Sequence, residues 1–300
     1  MTAKRYRRVV LSPHLDDAVF SCGALIAEAA PEVLVINVFT RFPPPSRKQA
    51  FVALSDERKA EEAEAAGLLG FDSVCLDEVD AWLRHPLYER PSGLFGAPAS
   101  DDPLRFDQLL ERVKTMLGSI SFDELYAPLG VGWHVDHLLT YRLAQQLKVA
   151  RPSTPLWLYE DVPYAGLPGL VEARLAELKR EPPGALKPLA RSAAVSLAQW
   201  PLFDRYRRWV PRFALRAVLT KFIAGVLTRR HEPSPSLGGD VMLVDGHSSL
   251  TKKLTAMQAY RSQFGSFFRD GADAEQQLRQ VSARHGTSDE RQISERSHQG

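Results

Sequence analysis

Short β-branched runs alternate along the chain with Ala-rich stretches whose apolar positions recur every three to four residues. The first kind predicts strands at Arg8–Ser12, Glu32–Phe39, Ser73–Leu76, Glu124–Ala127, Leu156–Glu160 and Val241–Val244. Between them, Ala18–Ala29, Val52–Leu69, Arg105–Leu117 and His137–Val149 carry the helical repeat. Gly67 and Gly70 stand near the expected stop of the second helix. This alternation is the mark of βαβ units. It predicts an α/β fold with a mostly parallel sheet and right-handed crossovers that place helices on both faces.

Three segments interrupt the pattern. Phe42–Gln49 and Ala81–Asp102 follow strand ends at the edge where an open α/β sheet has its ligand crevice. They either shape a pocket or run over the surface as plain loops. The third, Pro182–Gly239, begins with Pro182, Pro183 and Pro188 and continues into a helix-prone stretch from Phe203 to Arg230. There Arg205, Arg208, Arg212 and Arg216 fall three or four apart, on one helical face. A basic amphipathic helix can lie on an anionic membrane. It can equally be an insertion packed on the domain with its basic face in water, which Pro211 inside the pattern favours. We expect one domain over residues 1–270 with a helical insertion at 182–239, and a polar, disordered tail over 271–300.

Composition adds boundaries. The chain has 300 residues, 44% of them hydrophobic and 25% charged, enough for a large core without disulfide or structural metal. A net charge of +2 argues against nucleic acid as the main partner. Two cysteines, Cys22 and Cys75, make no disulfide framework. The basic start is followed by an apolar run too short for a signal-peptide core, and no stretch is long enough to span a bilayer, so the cytoplasm is the expected location.

Chemistry concentrates in two turns. Ser12-Pro13-His14-Leu15-Asp16-Asp17 lies where the first strand runs into its helix, and Gly132-Trp133-His134-Val135-Asp136-His137 stands in the same position after a later strand. His14 and Asp17 are three apart and can aim at one point as the chain turns into a helix. Asp17 would also serve as a plain N-cap, but one cap leaves the histidine and the second acid unexplained. Imidazole is the commonest neutral metal ligand, and two histidines flanking an acid suit a metal-and-acid pair. Two histidines and one carboxylate leave an open position on tetrahedral zinc; the same donors also suit iron(II). The spare Asp16 favours hydrolysis, because a carboxylate beside activated water is what a general base requires.

These motifs resemble the PIG-L/LmbE family of zinc-dependent de-N-acetylases, whose turns read Pro-His-Pro-Asp-Asp-Glu and His-Pro-Asp-His. Here they stand as Pro13-His14-Leu15-Asp16-Asp17-Ala18 and His134-Val135-Asp136-His137. Arg58-Lys59-Ala60-Glu61, Leu68-Leu69-Gly70, Tyr159-Glu160-Asp161, and Lys253 through Ser262-Gln263 extend the likeness. The resemblance implies a Rossmann-like fold with Zn2+ on His14, Asp17 and His137, and Asp16 as general base. His134 would stabilise the oxyanion or protonate the leaving amine, with Asp136 orienting it. Arg58 would stand in the pocket wall. Asp80 and Arg84 would bind sugar hydroxyls, or simply be solvated surface charges. The departures are Ala18 for the usual glutamate, Ser21-Cys22-Gly23-Ala24 for a glycine-rich run, and Gly132 where some members carry tyrosine.

The implied activity is removal of an N-acetyl group from a glucosamine-like sugar or glycoconjugate, the small-molecule partner of the chain. A glycolipid substrate would give the basic helix a purpose. The alternatives are amide hydrolysis in a non-sugar secondary metabolite, and a metal-binding sugar or nucleotide module without turnover, which would need neither Asp16 nor His134.

Overall fold

A computed structural model describes residues 4–42, 55–181, 184–228, 241–243, 249–283 and 291–295. Its centre is a sheet of strands β1 (Arg5–Ser12), β2 (Val33–Asn37), β3 (Asp72–Cys75), β4 (Ser121–Pro128), β5 (Leu156–Tyr159), β6 (Val241–Leu243) and β7 (Arg291–Glu295) in the order β3-β2-β1-β4-β5-β7-β6. The first five are mutually parallel, while β7 runs antiparallel to β5 and β6 antiparallel to β7. Val9, Val10 and Leu11 of β1 and every residue of β2 are buried, as a parallel sheet covered on both faces requires.

Helices α1 (Asp17–Ala29), α2 (Ser55–Leu69), α5 (Phe106–Gly118) and α6 (Val135–Ala150) follow the expected pattern to within a few residues. Val19, Phe20, Leu25 and Ile26 of α1 enter one core, against Val10 and Val35. Leu109, Val113 and Leu117 of α5 enter the other, with Val9, Leu11 and Ile36. The two cores lie on opposite faces of the sheet, because successive β1 side chains point to opposite sides.

The order has a consequence for function. From β1 the chain winds outward through β2 and β3, then returns to lay β4 beside β1 and continues to β5 on the other side. The switch point is therefore the β1/β4 boundary, where a crevice opens at the carboxyl ends of the strands. Both acid–histidine turns start there.

Two expectations need correction and a third is sharpened. Ala81–Asp102 is not a long loop. It holds α3 (Ala81–Arg84), a 3-10 turn over Pro86–Glu89, and α4 (Pro91–Leu94), started in part by Pro86 and Pro91. The basic stretch is interrupted at Pro211, as the packed-insertion reading expects. It breaks into α9 (Asp204–Arg207) and α10 (Arg212–Thr228), because Pro211 has no N–H to continue the ladder; α10 then packs Leu215, Leu219, Ile223 and Val226 toward α8 (Leu186–Leu197) and the core. The polar segment from 271 is not all tail. It opens with α13 (Gly271–Ala283), whose Ala274, Leu278 and Val281 are buried at spacings of four and three, and β7 follows. Most of Phe42–Gln49, with residues 182–183, 229–240, 284–290 and 296–300, lies outside the described residues. Among those described, no helix is long and apolar enough to cross a membrane.

Candidate active site

The turn after β1 directs His14 and Asp17 into the crevice. Asp17 is the first residue of α1 and caps nothing. Its carboxylate Oδ2 accepts from the His14 backbone N–H at 2.9 Å and lies 3.0 Å from His14 Nδ1. From the neighbouring turn, His137 Nε2 comes within 3.4 Å of the same oxygen. One ligand atom from each of His14, Asp17 and His137 lies within 4.8 Å of the other two, close enough for a single ion to bridge them. The donor set of two imidazoles and one carboxylate fits zinc or iron(II).

Around this triad the electrostatics are lopsided. Burial works against a charged His14, yet hydrogen bonding with Asp136 and Asp17 outweighs it and holds its pKa well above the ordinary imidazole value. Burial likewise opposes charge on His137, but the Asp17 carboxylate and a hydrogen bond with Asp161 raise its pKa. A metal needs neutral imidazole, so uptake by the metal-free protein must expel protons. We therefore expect metal binding near pH 7 to release protons and to weaken as pH falls. Calorimetry in buffers of different ionisation heat measures this; uptake without proton release would remove His14 from the ligand set.

Asp161, named in the sequence only as part of the likeness and given no role there, stands behind His137. It sits just beyond β5, and its Oδ1 lies 2.6 Å from His137 Nδ1 while its Oδ2 accepts from the Gly130 and Val131 amides, both at 2.8 Å. A carboxylate behind a metal-ligating histidine fixes the ring and its tautomer, leaving Nε2 for the metal. Replacing Asp161 with Asn should weaken metal affinity about 10–100-fold, read by competition with a chromogenic chelator. An unchanged affinity would make Asp161 purely a brace for the turn.

That turn needs bracing. Gly130, Gly132 and Trp133 all have positive φ, and at 58° Trp133 sits in the left-handed region that side chains disfavour. Trp133 is anchored by its indole N–H, which donates to Glu177 at 2.7 Å. At Gly132 a Cβ would stand 2.7 Å from Tyr164 Cγ. The ring of Tyr164, which the sequence did not single out, covers that glycine and meets His137 edge-on with centroids 5.8 Å apart.

Asp16 stands beside the donors without belonging to their group. Its Oδ1 accepts from Arg58 Nη2 at 3.1 Å, and both side chains are more than nine-tenths buried. Arg58 also lies over the Phe42 ring, which places it in the crevice wall. Burial and the charge of Asp17 raise the Asp16 pKa, with Arg58 pulling the other way.

The Asp136 carboxylate faces elsewhere than expected. It is committed away from the His134 ring: it accepts from Arg84 at 2.8 Å and from the Ala81 amide at 2.9 Å, and lies 3.2 Å from His14 Nε2. The Asp136 backbone N–H, not its side chain, fixes His134, donating to Nδ1 at 3.2 Å. His134 is thereby held with its proton on Nε2. Burial and the nearby His14 charge push its pKa well below the ordinary value.

Arg84 is neither a surface charge nor a free sugar binder. Its side chain is 3% exposed and commits its donors to Asp102, Asp136 and the Val79 carbonyl. Asp80 stays near the mouth. It caps α3 through the Trp82 amide and comes within 3.5 Å of His14 Nε2. Facing His134 are the rings of Phe95 at 5.5 Å and, behind it, Tyr164 at 6.0 Å and Phe222 at 5.7 Å from Phe95.

Residues 9–148, which include both turns, match the family model for PIG-L, GlcNAc-PI de-N-acetylase. Over that stretch the chain is similar to the PIG-L family. Across 171 residues it is 34% identical to the 2'-N-acetylparomamine deacetylase of Streptomyces fradiae, a match covering 54% of this chain and 59% of that protein. The chain thus spans under two thirds of this curated relative. Two solved structures share the fold. The zinc-inhibited form of teicoplanin deacetylase aligns with a TM-score of 0.60 at 18% identity, covering 98% of this chain and all of that one. The A40926 pseudoaglycone deacetylase gives 0.58 at 19% identity, covering 97% of each.

Proposed function

We propose that this chain is a metal-dependent N-deacetylase that hydrolyses the acetamide of an amino sugar carried by an aminoglycoside- or glycopeptide-type natural product. The observation that carries the reading is Asp16, a buried carboxylate set beside a His14–Asp17–His137 donor group and held by Arg58. A binding module has no need of it. Zinc is the metal we favour, with iron(II) the other ion these donors suit. When bound, the ion supplies Lewis acidity that polarises the acetyl carbonyl and lowers the pKa of water.

The protein's own groups divide the remaining work. Asp16 takes a proton from the water that attacks the carbonyl carbon, and its raised pKa suits a group that must hold this proton and then pass it on. His134, neutral with Nε2–H free to donate, stabilises the oxygen as negative charge develops. When the C–N bond breaks, the proton on Asp16 moves to the departing amine, leaving acetate and a free amino sugar. Asp136 and Arg84 position His14 and the segment carrying Asp80, and so act through other residues.

Two features support a sugar. Phe95, Tyr164 and Phe222 form an aromatic wall of the kind that packs the apolar face of a pyranose. Asp80, at the mouth and not ion-paired to an arginine among the described residues, offers a carboxylate to an ammonium group such as aminoglycosides carry. The test is an acetate-release screen of the zinc-loaded protein over 2'-N-acetylparomamine, an N-acetylglucosaminyl glycopeptide, free N-acetylglucosamine and N-acetylated amino acids. Release from the first or second class, and none from amino acids, is expected. Turnover confined to amino acids would contradict the sugar assignment.

A further inference from the structure

A second charged concavity lies between the inserted segment and Arg269 and shares no residue with the acidic crevice. Arg207 of α9, Arg212 and Arg216 of α10, and Arg269 line a cavity of about 330 Å3 completed by Ala198, Gln199 and Leu215. Four guanidinium groups are costly to gather. Among the described residues the carboxylate they pair with is Asp204, bonded to Arg207 and 4.0 Å from Arg269. The Gln199 carbonyl takes a further bond from Arg269 at 3.1 Å. Arg212 and Arg216 have no ion-pair partner among the described residues, although they stand one turn apart on the same helix face.

Like charges brought together in a concavity repel, and although water screens the exposed Arg212 and Arg216, a bound anion relieves that repulsion directly. Guanidinium presents a planar fork that matches the oxygens of phosphate in a bidentate manner, which ammonium does not. The volume lies at the lower end of the roughly 300–1,000 Å3 typical of small-molecule pockets. It has room for a phosphate with a small organic group attached. We propose that this cavity is a binding site for the phosphate monoester group of a small ligand, distinct from the deacetylation site and of opposite charge preference.

The same region contains the stretch for which membrane contact was considered. Phe213 and Val218 are 77% and 66% exposed. Five residues apart on α10, they point about 140° from each other around the axis. Trp209, just before α10, is also 87% exposed, so it is the phosphate-sized cavity, not the lack of exposed apolar groups, that favours a discrete ligand over a membrane plane.

The experiment compares glycerol 3-phosphate with vesicles of phosphatidylcholine containing phosphatidic acid, which offers the same headgroup. Zinc-loaded wild-type protein and the Arg212→Ala/Arg216→Ala double variant are studied by calorimetry and vesicle flotation at low salt. Unchanged circular dichroism and acetate release in the variant establish that it is folded. We expect one equivalent of glycerol 3-phosphate to bind the wild type, at least tenfold more weakly to the variant, and equally well to Asp16→Asn protein. Flotation lost in the variant, without binding of the soluble ester, would assign the same site to a lipid headgroup. If neither probe distinguishes wild type from the double variant, or if Asp16→Asn abolishes the binding, the cavity is not a phosphate site.

Discussion

Asp16→Asn should lower kcat for acetate release by about 10²–10⁴-fold, the range of a positioned general base, while leaving one metal ion per chain. Asparagine keeps the shape and still offers an oxygen to Arg58, 3.1 Å away, so the crevice wall should remain in place. What it loses is the capacity to take a proton. Because Asp16 is outside the His14–Asp17–His137 group, metal content measured by plasma emission should not change. Loss of both metal and activity would make Asp16 a ligand rather than a base. Full activity would move the base to another group, with Asp80, 3.5 Å from His14 Nε2, the candidate.

The second large effect is on stability. Asp136 is fully buried and simultaneously satisfies Arg84, the Ala81 amide and His14. Asp136→Ala leaves Arg84 with an uncompensated share of charge in a dry setting. Breaking a buried pair costs about 3–5 kcal/mol, and the lower figure applies because Arg84 keeps its two bonds to Asp102. Equilibrium denaturation should show the loss. Asp136→Asn keeps a single side-chain oxygen and can accept from Arg84 or from the Ala81 amide, which use different carboxylate oxygens, so it should recover only part of it. Equal and small losses in both variants would show that Asp136 serves only the chemistry.

How much of this was legible in the chain follows from sequence distance. His14 and Asp17 are three residues apart in a strand-to-helix turn, and a second such turn carries His137. Local geometry alone converged them once the two strands proved adjacent. The Arg84 network could not be read in the same way. Its partners Asp102 and Asp136 lie 18 and 52 residues away, on segments whose approach depends on packing. The resemblance implied that Asp136 orients His134, but side chains two apart at a helix start point different ways, and the backbone amide took that role. Asp161 did carry a signal, an acid directly beyond a strand at the functional edge of the sheet, and the topology gives that signal its meaning. In α13 the polar composition masked a four-and-three apolar spacing that the structure uses.

The central claim is a catalytic metal at His14, Asp17 and His137, and zinc titration of chelator-stripped protein against acetate release tests it most directly. Stripped protein should be inactive, and activity should rise linearly to one equivalent of zinc or iron(II) and no further. Stripped protein as active as the reconstituted form would contradict it.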